Sequence, residues 1–245
     1  FTQMKNRAIT GNIQIQPMND LRIDFNFLQN YTSNLVQGGY NILNNGQLAY
    51  ANELITYSYS DALLKTSFKD GDEVFRNMIA NAQIVSQKMG GLLQPNGFTE
   101  GHGITNAYVL LPAFQSAVEG REVNMSNSPT KPKFPLPNWR ITYSGLRNIP
   151  FINSQFNKFD VLHSYKATYT ASGIQSSIDY FNNPTGVDVN KDKLNPYVFS
   201  QVGYVEEFAP LIGADVTMRN NMQIRAMYNR NRMYMLGLKN HTLTE

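Results

Sequence analysis

The chain has 245 residues, no cysteine and a net charge of +3. These values exclude disulfide and thiolate chemistry and give no argument for nucleic acid as a partner. No apolar run approaches the roughly 18 residues of a membrane helix, which excludes spanning by helices but not by strands. Charged residues are only 16%, yet mean hydropathy is −0.37. Uncharged polar side chains fill the gap, 29 Asn among them, alongside 14 Tyr and 14 Phe. That mixture suits a transmembrane β-barrel, whose strands are half lipid-facing and half water-facing, and equally a soluble β-sandwich.

The first residues already read as strand, so the chain is expected to be a piece of a longer protein. Residues 8–16 form a strand and Pro17-Met18-Asn19-Asp20 a turn. A long alternating run follows. Leu21, Ile23, Phe25, Phe27 and Tyr31 share one face, with Gln29 and Ser33 as exceptions. Arg22, Asp24, Asn26, Asn30, Thr32 and Asn34 share the other, with Leu28 as the exception. A run of about fifteen residues is long for a globular strand, whose mode is about 5–6. A membrane strand needs about 9–11 to cross the hydrocarbon, so length favours the barrel. Gly38-Gly39 and Asn44-Asn45-Gly46 mark a loop, and 47–60 the next strand. There Tyr57 and Tyr59 fit either an interfacial aromatic girdle or packing on neighbours.

From Lys69 the period becomes helical. Val74 or Phe75, Met78, Ile79, Ala82, Val85 and Met89 recur at three- and four-residue steps, with Asp72 as N-cap and Gly90-Gly91 as the stop. A second patch holds Tyr108, Leu110, Leu111, Phe114 and Val118 and ends at Gly120. Pro112 is expected to split it into two short pieces. These helices suit a gate or lid, or more simply a loop subdomain packed on itself. Pro129, Pro132, Pro135 and Pro137 then make a stiff connector. Strands resume at 139–145, 158–182 and 197–209, the last with a phase slip near Ser200-Gln201 that implies a bulge.

The last hairpin can be registered from its residues alone. Ala214, Val216, Met218, Met222, Ile224 and Ala226 share a face only if paired positions sum to an even number. A three-residue loop, Arg219-Asn220-Asn221, does this: it pairs Val216 with Ile224 and Asp215 with Arg225, and puts Asn221 in the left-handed region. The expected fold is all-β, an antiparallel transmembrane β-barrel segment of a very large barrel with a short helical insert. Barrel strands occupy 1–68 and 138–245; the helical insert and Pro-rich connector occupy 69–137.

No chemistry is expected: no catalytic, cofactor-binding or metal residues, and no enzyme. His102, His163 and His241 are scattered without metal-ligand spacing. Gly97-Phe98-Thr99-Glu100-Gly101-His102-Gly103 lacks the Lys and following helix of a phosphate loop. Glu206 and Glu207 are adjacent in a strand and point to opposite faces. Arg219, Arg225, Arg230 and Arg232 read as wet-face and rim charge of a barrel.

Four stretches, in this order and spacing, carry a family resemblance. They are Asp20-Leu21-Arg22-Ile23-Asp24 with Tyr31-Thr32-Ser33-Asn34; Asn106-Ala107-Tyr108-Val109-Leu110-Leu111-Pro112-Ala113-Phe114 with Gly120; Pro135-Leu136-Pro137-Asn138-Trp139-Arg140-Ile141-Thr142-Tyr143-Ser144-Gly145-Leu146; and Phe208-Ala209-Pro210-Leu211-Ile212-Gly213-Ala214-Asp215-Val216-Thr217. Together they resemble the SprA/Sov family, the outer-membrane translocon of the bacterial type 9 secretion system. The stretch around Phe75 and Arg76 matches more loosely. Family members are single-chain barrels of about 36 strands, so this chain is expected to supply roughly a quarter of the wall.

The resemblance implies a protein-conducting channel in the outer membrane of a Gram-negative bacterium, a system also tied to gliding motility. Its implied partners are a PorV-type shuttle barrel, a periplasmic plug protein and folded cargo carrying C-terminal signals. It implies no cofactor and supplies no catalytic residues. The alternatives are another outer-membrane barrel transporter, of TonB-dependent or lipopolysaccharide type, and a soluble β-rich adhesion or binding protein.

Overall fold

The structure is a computed structural model that describes residues 1–37, 51–238 and 242–244. Its strands are β1 (Thr2–Met18), β2 (Leu21–Gln37), β3 (Ala51–Ser60), β4 (Asn138–Tyr143), β5 (Phe156–Ser176), β6 (Tyr197–Met218), β7 (Gln223–Gly237) and β8 (Thr242–Thr244). All described pairings are antiparallel, and they join into one sheet in the order β1-β2-β3-β5-β6-β7-β8. Strands β5 and β6 reach 21 and 22 residues, several times the usual globular length. Strand β1 is also longer than its sequence pattern suggested, because its polar first residues pair with β2 as far as Thr2↔Val36.

The place of β4 gives the fold its logic. Upper β2 pairs with β3 (Gln29↔Tyr59 to Gln37↔Ala51), and lower β2 pairs with β4 (Asn26↔Asn138 to Leu21↔Tyr143). On the other side β5 pairs with the same two strands, β3 above and β4 below. β3 and β4 are therefore two halves of one strand position. The chain leaves the sheet at mid-height after Ser60, so the insert starts at Asp61 and not at residue 69; it makes its helical excursion and returns at Asn138 to finish the same position. The proline-rich connector runs without helix or strand and is tied to the sheet by Leu136 N–H to Ser60 O at 2.8 Å and Gln29 Nε2 to Lys133 O at 2.7 Å.

The excursion holds α1 (Gly71–Met89) and α2 (Ala107–Glu119). α1 buries Val74, Met78, Ala82 and Val85, the expected stripe, but its N-cap is Asp70 and not Asp72. α2 is one helix and not two. Pro112 removes one backbone donor, but Asn106 caps the N-terminus and burial from Val109 to Glu119 holds the helix together. The insert is also not merely packed on itself. Its apolar residues form one cluster with Ile55, Tyr57, Tyr59, Tyr165, Tyr169, Tyr204 and Tyr234 of the sheet.

Two other expectations change. β5 ends at Ser176, where its last pair with β6 is made, and Ser177 caps a short helix, α4 (Ile178–Asn182), in place of further strand. Residues 145–155, between β4 and β5, form a 3-10 turn and a short helix, α3 (Pro150–Gln155). The phase slip near Ser200 is real, with Phe199 and Val202 both buried. Its bulge lies on the neighbouring strand, at Gly173 with φ +64°, opposite Thr56 of β3. A larger irregularity went unforeseen. Between Phe208 and Ile212 β6 carries two extra residues against both neighbours, and Pro210, with no N–H to give, sits in it. The loop marks at 38–46 and the start of the strand expected from residue 47 lie outside the described residues.

The β6–β7 hairpin has the expected register. Val216 pairs with Ile224 and Asp215 with Arg225. Met218 N–H bonds to Met222 O at 2.9 Å, and Asn221 has φ +65°.

Candidate functional site

Below the level of the strand break the sheet has two unlike faces. One carries Ile13 and Ile15 of β1, Leu21, Ile23 and Phe25 of β2, Trp139, Ile141 and Tyr143 of β4, Phe159 and Val161 of β5, Ala214 and Val216 of β6, and Ile224 and Tyr228 of β7. Cross-strand pairs such as Ile13↔Phe25, Phe25↔Trp139, Tyr143↔Val161 and Ala214↔Ala226 place them together. Ile13, Ile15, Ile224 and Tyr228 are exposed, as is Ile212 of β6 at 62%; Val216 is buried and the others are half-buried. The opposite face carries ion pairs. Arg22 meets Asp24 at 2.9 Å, and Asp215 meets both Lys158 and Arg225 at 3.0 Å. Strict alternation on one continuous sheet is what segregates them.

Above the break the apolar face continues as a layer of tyrosines lying under the insert. Tyr59 and Tyr169 have ring centroids 5.1 Å apart, and Tyr169 and Tyr204 4.7 Å. Tyr57 and Tyr59 are 3% and 1% exposed, so they pack on neighbours and are not an aromatic girdle. Trp139 stands at the boundary, stacked on Tyr165 with centroids 4.3 Å apart.

The break itself interrupts the ladder, and two side chains mend it. Ser60 Oγ accepts from Leu28 N–H at 3.1 Å and donates to Leu136 O at 2.6 Å. Asn138 Oδ1 accepts from Ala167 N–H at 2.9 Å, and Asp61 N–H donates to Ala167 O at 3.0 Å. Both Ser60 and Asn138 are buried, where an unpaired backbone group is costly.

A buried polar network locks the insert onto the sheet. Glu206 and Arg232 are directly cross-strand and meet at 2.6 Å, their side chains 2% and 8% exposed. Glu206 also accepts from Ser67 Oγ at 2.7 Å and Tyr165 OH at 2.8 Å. Arg232 donates to Thr66 O at 2.6 Å and Thr66 Oγ1 at 3.0 Å, and the Thr66 hydroxyl in turn donates to Val118 O of α2. Nearby, Glu119 at the end of α2 meets Lys133 at 2.6 Å and accepts from Tyr204 OH. Asp61 faces the same cluster. Burial, reinforced by Glu119, pushes its carboxyl up to about 6, against the pull of the Ala62 N–H, Lys133 and Arg121.

This network runs against the sequence expectation that Arg232 is wet-face or rim charge. Its one legible signal was phase: Glu206 alternates with Tyr204 and Phe208, and Arg232 with Tyr234, so both charges stand in an apolar register. Of the four arginines read as wet-face and rim charge, Arg225 fits. Arg232 is corrected to the insert-covered face, and Arg230 lies 4.6 Å over the Phe68 ring. Glu207 is exposed while Glu206 is buried, so the two do point apart.

The glycine-rich loop supports α1, with Gly97 and Gly101 at φ +85° and +78° and Thr99 bonded to Ser86. His102 is buried in that loop, held below the ordinary imidazole range by burial and by Lys193, with Asp192 opposing. His163 lies on the sheet, its Nδ1 2.7 Å from Leu211 O at the β6 irregularity; His241 lies outside the described residues. Among the described residues no group of three metal-ligating side chains forms, and no helix is long and apolar enough to cross a membrane. No protein-family model matches the chain, and no curated protein sequence matches it.

Proposed function

We propose that this chain is part of the wall of a very large outer-membrane β-barrel, a protein-conducting translocon of the SprA/Sov type that exports folded cargo through the type 9 secretion system. The observation that carries the barrel reading is the segregation of faces below the strand break: a wide apolar face, exposed at Ile13, Ile212 and Tyr228, backed by ion pairs. In a wall around an aqueous lumen the first meets lipid and the second meets water. Strand β1 has one unpaired edge along its 17 residues among those described, and a sheet in lipid must close its edges. A broken ladder is tolerated only where protein covers it, and here Ser60 and Asn138 at the break are buried.

The lower end has two tight turns, at Asn19-Asp20 and Arg219–Asn221, and the 144–155 link, while the larger insert packs on the upper half of the sheet and the 177–196 segment joins the upper ends of β5 and β6. Outer-membrane barrels keep short turns on the periplasmic side. The insert therefore belongs to the extracellular half, on the outer side of the wall.

The four-part resemblance, and no feature of the fold by itself, selects a translocon over other barrels. The PorV-type shuttle barrel, the plug protein and cargo with C-terminal signals are its proposed partners. The face assignment is tested in the full-length protein by Phe25→Asp and Asn26→Asp. The first should block membrane insertion and the second should not; equal tolerance refutes the assignment. A full-length protein that stays monomeric and folded in plain buffer refutes the barrel. Normal export of cargo with C-terminal signals in a strain lacking the gene refutes the translocon.

A further inference from the structure

Following the insert-side face down strands β6 and β7, each cross-strand pair has a different cover. Glu206↔Arg232 is sealed under the insert. Phe208↔Arg230 comes next, and Phe68 of the insert closes it: its ring lies 5.9 Å from that of Phe208, near parallel, with the Arg230 guanidinium 4.6 Å over it. Below that, Ile212↔Tyr228 is bare. Phe68 thus sits at the lowest edge of the insert, directly above the apolar band. It covers Phe208, which is only 3% exposed, yet is itself 65% exposed. Leu64, one turn earlier, is 52% exposed. Leu63 just before them and Thr66 and Ser67 between them are buried, so the turn shows its two large apolar residues outward and anchors itself by these three.

We propose that the Leu64–Lys69 turn is a membrane-interface anchor that seats the insert on the headgroup boundary of the bilayer. This rests on the barrel reading above. Continuity points to lipid: the turn extends the lipid-facing band upward by one cross-strand pair, at the height where an aromatic ring with a polar flank is favoured. Charge does not select the lipid. Lys65, Lys69 and Arg230 are balanced by Asp70, the N-cap of α1, and by Asp72 and Glu73 of its first turn, with Lys69 and Glu73 2.5 Å apart. The anchor is therefore apolar and aromatic, and indifferent to headgroup charge.

The test uses the absence of cysteine from these 245 residues. Single cysteines replace Phe68, Ile224 and Leu92 in the full-length protein, are labelled with a fluorophore, and the protein is reconstituted in phosphatidylcholine vesicles with or without phosphatidylglycerol. Leu92 is the aqueous control, 74% exposed at the far end of α1. Ile224 should be quenched by nitroxides on the acyl chain and Phe68 best by one near the headgroup, while Leu92 responds only to aqueous iodide. The Phe68 depth should not change with phosphatidylglycerol. If Phe68→Cys does not fold, Leu64→Cys takes its place with the same expectation. Aqueous behaviour at Phe68 with Ile224 still in lipid overturns the anchor alone. Aqueous behaviour at Ile224 overturns the barrel and the anchor together.

Discussion

Replacing Arg232 by Met should release the insert from the sheet. The side chain donates to Glu206 at 2.6 Å and to Thr66 at two atoms, and it is nearly inaccessible. The apolar stem of Met keeps much of the packing, but Glu206 retains its charge with only Ser67 and Tyr165 as donors, and Thr66 O loses its partner. Breaking one side of a buried pair costs about 3–5 kcal/mol. If opening of the insert is fast relative to cleavage, protease susceptibility follows that free energy. With about 1.4 kcal/mol per factor of ten, cleavage should accelerate at least about 100-fold. The assay is limited trypsin digestion of the folded full-length protein, reading cuts at Lys65, Lys69, Arg76 and Lys88 of the insert. Removing the stranded charge as well, in Glu206→Gln/Arg232→Met, should recover most of the loss. An acceleration under about threefold for R232M, roughly 0.6 kcal/mol, refutes the reasoning. So does a double variant cut as fast as the single one, since the cost would then not arise from the stranded charge.

Other outcomes can be measured on the same preparation. The folded-state pKa of Asp61 is raised from 3.8 to about 6, so its contribution to stability is full below about pH 4 and is lost as pH rises through 6. Trypsin is replaced for this by a protease active at acid pH. The Asp61→Asn variant should lose the change in insert resistance between pH 4 and 6, and an unaltered profile counts against the assignment. Asn138→Ala strands the Ala167 N–H beside the strand break and should cost about 1–3 kcal/mol. Hydrogen exchange should show the loss at Ala167 before the sheet edges; uniform loss contradicts the mending role. At Asn221, with φ +65°, Gly should be neutral within a few tenths of a kcal/mol, while Val should cost about 1 kcal/mol or more. Equal unfolding midpoints for the two variants would refute the left-handed turn.

The sequence by itself determined the features whose causes are local. Period two over β2 sorted Leu21, Ile23 and Phe25 from Arg22, Asp24 and Asn26, because alternate side chains of any strand must point apart. The parity of Val216, Ile224, Asp215 and Arg225 fixed a hairpin register, because a slip of one residue would turn the apolar set over. The stripe from Val74 to Val85 gave the first helix its buried face.

Tertiary structure decided the rest. Pro112 could be a helix break or a tolerated interior residue, and burial of α2 on several sides chose the second. Tyr57 and Tyr59 could face lipid or protein, since both are apolar to a tyrosine ring; the insert lying over them settles it. The fusion of β3 and β4 into one strand position joins residues 78 apart in the chain, and no local pattern encodes it. Nor does any local pattern say that Glu206 in β6, Arg232 in β7 and Thr66 at the start of the excursion will meet. A buried charge is tolerable only where distant segments deliver its partners, and only the folded chain brings those segments together.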